Sequence, residues 1–173
     1  MIASPFHRLA LIGAVAVSCF ALAAATPVFG PPWISIETPP NPFDATSRGA
    51  VLVVHTYHHG DVVASGVTGS AEGIVSGARR TIPLVFDTTT RRGVYALRKQ
   101  WPNEGTWMLV INTGGRAQGV TALVDISSRG DVAGVRVPTR RSSDGWDLPQ
   151  QVTARDIDEA LETRASAALS ARK

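Results

Sequence analysis

The sequence predicts an all-β protein: an antiparallel sandwich of seven or eight short strands, closed by one short C-terminal α-helix. Three observations predict it. Short runs rich in Val, Ile, Thr and aromatic residues recur between residues 33 and 137, each bounded by Gly, Asn, Asp or Ser. No segment with helical periodicity interrupts these runs, which argues against a parallel α/β sheet. Only beyond Thr153 do apolar residues fall at helical spacing, and there they form a single stripe.

The chain begins with charge at His7 and Arg8, an apolar run from Leu9 to Leu22, and the small residues Ala23-Ala24-Ala25. That order is the pattern of a secretory signal peptide over residues 1–25, cut after Ala25 to release a periplasmic or extracellular protein. The alternative is retention as an inner-membrane anchor over residues 9–25, since Leu9 to Ala25 is 17 residues, the lower edge of what spans a bilayer. Lipidation of Cys19 is a third option, although Ala16-Val17-Ser18 carries no leucine ahead of that cysteine. Cys19 is the single cysteine. Its removal with the signal leaves a chain with no disulfide and no thiol ligand, stabilised by an apolar core alone.

Residues 26–47 form a proline-rich leader carrying Pro27, Pro31-Pro32, Pro39-Pro40 and Pro42. No helix runs through such a segment, and Trp33, Ile34 and Ile36 fit one edge strand between the two proline pairs. The sandwich domain is expected over residues 48–137. After a turn at Ser47-Arg48-Gly49, strands are expected over 50–57 and 62–68, joined tightly at His59-Gly60-Asp61. Gly66, Gly69, Gly73 and Gly77 predict irregular or bulged strand, and Pro83 marks the run 81–86 as an edge or a bulge. A polar turn over 87–93 precedes a strand at 94–98, and Trp101 to Gly105 reads as a loop. Strands at 106–111, 119–126 and 132–137 complete the set. Residues 138–152, with arginines, serines, Asp144-Gly145 and Trp146, read as a linker leaving the sandwich. The amphipathic helix over 153–173 is capped by Thr153 with Asp156, and its stripe is Ile157, Ala160, Leu161, Ala165, Ala168 and Leu169. Strand number and spacing suit an immunoglobulin-like or prealbumin-like fold.

The formal charge is +3, and Lys99 and Lys173 are the only lysines among the 17 basic residues. So small an excess, on an exported chain, argues against nucleic acid as a partner and fits a solvated, arginine-rich surface. Membrane contact is expected only if the N-terminal segment is retained.

His55, His58 and His59 invite a metal reading, with copper or zinc as the cofactor. Strand geometry opposes the simplest site: His55 and His59 share a face but lie roughly 13 Å apart, at about 3.3 Å per residue, while His58 points the other way. Met108 is the only methionine after the signal, which excludes a methionine-rich copper(I) site within the chain. No Gly-x-Ser-x-Gly elbow occurs, and Gly114 to Gly119 matches no phosphate-binding loop, so no catalysis and no other cofactor are expected. Trp107 alternates with Leu109 and Ile111 and reads as core. Trp101 beside Pro102, Trp146, and the helix residues Ile157 and Leu161 are the candidates for binding a partner, a protein of the cell envelope.

Across residues 48–112 the order of features resembles the YtkA-like group of extracytoplasmic immunoglobulin-like domains, and more loosely FixH-like and carboxypeptidase-regulatory-type modules. The likeness rests on the strand ending at His55–His59, on Gly60-Asp61-Val62-Val63, on Gly93-Val94-Tyr95, and on Gly105-Thr106-Trp107-Met108-Leu109-Val110. It implies an envelope β-sandwich without enzyme activity, some of whose relatives are linked to copper handling or oxidase assembly. The C-terminal helix and the lack of a methionine-rich motif depart from that pattern.

Overall fold

The computed structural model describes residues 31–114 and 119–170, the side chains of 168 and 169 excepted. The expected signal segment, most of the Gly114–Gly119 segment and the last three residues of the expected helix lie outside the described residues. Elements follow in the order β1 (Trp33–Glu37), a 3-10 turn (Ala45–Ser47), β2 (Leu52–His58), β3 (Asp61–Val62), β4 (Val67–Val75), β5 (Ala78–Pro83) and β6 (Asp87–Thr88). They continue with β7 (Val94–Leu97), β8 (Thr106–Thr113), β9 (Val120–Ile126), β10 (Val132–Arg136), β11 (Thr139–Arg141), β12 (Asp147–Pro149) and α1 (Ala154–Ser170).

The strands form two antiparallel sheets. One has the order β1-β2-β7-β6 with β3 beside β2, and the other has the order β10-β9-β8-β4-β5. Strand for strand this is the immunoglobulin arrangement: A-B-E-D in the first sheet, and G-F-C with a C′ edge in the second. The strand β10 extends the second sheet beyond G. Between the sheets lies the main core, to which the first contributes Ile34, Leu52, Val54 and Leu97, and the second Ala71, Trp107, Leu109, Ile111 and Val124.

The glycine-rich stretch predicted as irregular is instead the nine-residue strand β4. Gly73 stands opposite Trp107, and Gly69 opposite Ile111. A Cβ at Gly73 would fall on the Trp107 ring, and one at Gly69 on the Val110 carbonyl, with the Phe86 ring in contact beside it. These glycines admit close neighbours into the core; they do not break the strand. Pro83 ends β5, an edge strand, where a missing N–H costs no ladder bond. The expected polar turn at 87–93 contains the short strand β6, which pairs with β7 through Asp87 and Thr88.

Every residue from Trp107 to Ile111 on β8 is buried, because the second sheet is covered on both faces. Its outer face presents Met108, Val110 and Leu123 to Leu161 of α1, with Ile74, Val152, Ile157 and Ala160 around them. The helix is therefore a third layer. Its start is a reciprocal cap: Thr153 N donates to Asp156 at 2.8 Å, and Asp156 N donates to Thr153 Oγ1 at 3.3 Å. Ion pairs flank the apolar contact, Arg79–Asp158 on the β5 side and Arg164–Asp125 at 3.0 Å on the β9 side. Glu72, buried beneath the first pair, accepts hydrogen bonds from Ser70, Thr81 and Arg79. Burial alone would raise its pKa, but these hydrogen bonds prevail and hold the carboxyl below its ordinary value.

The segment read as a linker does not leave the sandwich. It folds as the β11–β12 hairpin, with Thr139 opposite Pro149 and Arg141 opposite Asp147. The buried Thr121 fastens its far end: Thr121 N donates to Gln150 O at 3.1 Å, and Thr121 Oγ1 accepts from Val152 N at 3.2 Å.

Candidate functional site at the loop end of the sandwich

One end of the sandwich carries the three histidines singled out by the sequence, His55, His58 and His59. Trp33 at the start of β1 stands opposite Tyr57 near the end of β2, and His55 stands opposite Val94 at the start of β7. In the second sheet, Val67, Thr113 and Val120 mark the same end of β4, β8 and β9. The connections β2–β4 and β6–β7 thus meet there, and β8 ends and β9 begins there, at the end that carries the B–C, D–E and F–G loops in an immunoglobulin sandwich. Thr56 ties two of them together: its N–H donates to Gly93 O at 2.9 Å, and its hydroxyl donates to Val63 O. The Tyr95 hydroxyl secures the same loop by donating to Ser65 O at 2.8 Å. Loops carried on rigid strands are the usual platform for recognition, and here two of the loops are themselves cross-linked.

The outer face of the first sheet carries a row across three strands, because Trp33 pairs with Tyr57 and Tyr57 with Val62. Trp33 is 41% exposed and Val62 44%. Next to this row His55 stacks on Tyr57 with ring centroids 6.5 Å apart, and its Nε2 lies 2.8 Å from Glu37 Oε2. The bond with His55 is the largest influence on Glu37 and holds that carboxyl below its ordinary pKa. Deeper along the same face, Val53, Val94 and Ala96 are buried.

The three histidines are not brought together. His55 is committed to Glu37, whereas His58 and His59 stack edge to face at 3.8 Å at the tip of the β2–β3 hairpin. That tip uses positive φ at His59 and Gly60, a tight two-residue turn. No group of three or more His, Cys, Asp or Glu side chains able to hold a metal ion occurs among the described residues.

Among the residues expected to bind a partner, the structure separates buried from exposed. Trp101 is a correction: it is 3% exposed and belongs to the core, where the crossing from β7 to β8 tucks it between the sheets. Leu161 is a second correction, since it is fully buried against the chain's own β8 and β9, with Ile157 half-buried beside it. Trp146 is 71% exposed near the turn of the β11–β12 hairpin. Sequence reasoning missed Val62, whose exposure follows from pairing at the end of a sheet, and Phe43, which stands out from the β1–β2 connection at 94% exposure. Periodicity carries no signal for either.

Beside α1, a cleft of about 460 Å³ is lined by Asp125, Arg136, Glu159, Thr163 and Arg164, among others. Its charges answer one another, with Arg164 and Arg136 both directed at Asp125 and Arg164 Nη2 donating to Ile126 O at 2.7 Å. The arrangement fastens the helix to the sheet. No described helix is long and apolar enough to cross a membrane. Compared with family models, curated proteins and solved structures, the chain has no significant match in any of the three.

Proposed function

We propose that this chain is an exported, non-catalytic immunoglobulin-like module that binds another protein of the cell envelope through the β11–β12 hairpin. One observation carries the reading: Trp146 stands 71% exposed on a hairpin whose two strands pair with each other and with neither main sheet. A large aromatic on a small, independently fastened element is the kind of anchor that dominates protein interfaces. Ser142 holds the turn, accepting from Trp146 N at 3.0 Å through its hydroxyl and donating its own N–H to Trp146 O at 2.7 Å. Arg140 is exposed alongside, and Arg141 is paired with Asp147, which supplies a polar rim. The likeness to YtkA-like envelope domains supports the same class of function.

The test is recovery of a specific envelope partner by the full chain, compared with Trp146→Ala and with Phe43→Ala as a second exposed aromatic. The expected result is a partner retained by the wild type and by Phe43→Ala but lost by Trp146→Ala. Equal retention by all three proteins overturns the reading.

A further inference from the structure

We infer that residues 9–25 stay on the chain as a membrane anchor and that the loop end of the sandwich rests on the bilayer, with the Trp33–Tyr57–Val62 row as the surface that meets the headgroups. The inference stands apart from the role proposed for the hairpin.

The placement of the row carries the argument. Trp33, Tyr57 and Val62 lie side by side on three neighbouring strands, and at about 4.8 Å between strands they form a continuous apolar strip roughly 10 Å wide. Tyrosine and tryptophan, each with an apolar body and a polar tip, are the side chains that favour the membrane interface. The turn that ends in Gly93 packs on this strip, since a Cβ at Gly93 would fall 2.9 Å from Val62 Cγ1. Arg92, exposed in that turn, adds a cationic side chain to the loop that packs on the strip, a type suited to lipid phosphate.

The occupant is set by where the rest of the chain attaches. The apolar run of residues 9–25 ends eight residues before Trp33. Eight residues reach at most about 29 Å, so a retained run keeps the start of β1 within that distance of the bilayer. Of the exposed large apolar residues among the described residues, Trp33 is the nearest to that run along the chain. Phe43, in the connection after β1, belongs to the far end.

The experiment reconstitutes the full chain into phosphatidylethanolamine–phosphatidylglycerol vesicles whose acyl chains are brominated, and reads quenching of tryptophan emission. Trp101 and Trp107 are buried in the core, so contact quenching reports on Trp33 and Trp146. The expected result is quenching in the wild type that is mostly lost in Trp33→Phe and kept in Trp146→Phe. Val62→Asp, at an exposed position, reduces the quenching while leaving the thermal unfolding midpoint in place. Absence of quenching in the wild type overturns the inference, as does quenching that follows Trp146 alone. Intact-mass measurement of the protein recovered from cells is a second, independent check: a chain that has lost residues 1–25 has no tether, and the inference falls.

Discussion

The Trp107 indole fills the space that a side chain at Gly73 would need: an ideal Cβ there lies within 2.7 Å of the indole carbons Cε3, Cδ2 and Cζ3. The two residues are cross-strand partners in β4 and β8, and Trp107 Nε1 donates to Glu104 O at 2.7 Å, which fixes the ring at the entry to β8. The contact resembles the tyrosine corner of immunoglobulin domains, with an indole N–H in place of a phenol. Because the ring is held by its own hydrogen bond, it has little freedom to yield. Gly73→Ala is expected to destabilise the fold by about 1–3 kcal/mol through overpacking. Gly66→Ala, with nothing within 4 Å of its Cβ, serves as the control, and urea denaturation of both variants checks the difference.

The apolar contact of helix α1 centres on one fully buried side chain. Leu161 is fully buried among Met108, Val110 and Leu123, while the flanking ion pair Arg79–Asp158 is largely exposed and such pairs contribute little. Leu161→Ala is expected to cost about 2–5 kcal/mol, localised to the third layer. Amide exchange across residues 154–170 should lose protection while the β8 and β9 amides keep theirs. Equal loss in both places would mean that the helix and the sandwich unfold as one unit.

Much of the architecture was legible because burial follows period. The β-branched runs of β2 and β9, the unbroken apolar run of β8 and the helical stripe after Thr153 each reflect a face that has to be covered. What escaped was decided by partners distant in sequence. Gly69 and Gly73 read as strand breakers until Phe86 and Trp107 are seen to occupy their faces. Trp101 looked exposed because it follows a strand and precedes Pro102, yet the crossing between sheets carries it into the core. The β11–β12 hairpin has arginines and serines where a strand signal would need β-branched residues, and its fastening at Thr121 lies far back in the sequence. The same reason hid the candidate surface: Trp33, Tyr57 and Val62 become neighbours only through register.

Glu72 makes the fold sensitive to acid. Burial opposes its ionisation, but hydrogen bonds from Ser70, Thr81 and Arg79 lower its pKa from the ordinary 4.5. A carboxyl whose folded pKa lies below its unfolded one stabilises the fold fully above the unfolded value, and loses that contribution as pH falls through the folded value. Stability should therefore decline below about pH 4.5. Glu37, Asp44 and Asp156 are also lowered and add to the slope, so the comparison has to be with Glu72→Gln. That variant is expected to be less stable at neutral pH and to show a shallower acid dependence of its urea midpoint. An unchanged slope would remove Glu72 from the account.

His55 and the tip histidines should behave as separate groups toward metal. His55 Nε2 is engaged by Glu37 at 2.8 Å, and alternation along β2 puts His55 and His58 on opposite faces of the sheet. A single ion bound by all three would require the Glu37 contact to break and the strand to twist out of its pairing with β1 and β7, at the expense of ladder hydrogen bonds on both sides. The expected outcome is that His55→Ala takes up zinc or copper(II) no differently from the wild type in calorimetric titration, and that any weak uptake follows His58 and His59. His55→Ala is expected instead to raise the Glu37 pKa toward its ordinary value, since the bond with His55 is the largest influence lowering it. NMR titration of the Glu37 carboxyl reads this directly. A His55→Ala variant with abolished metal uptake and an unmoved Glu37 would show that the histidines converge in solution.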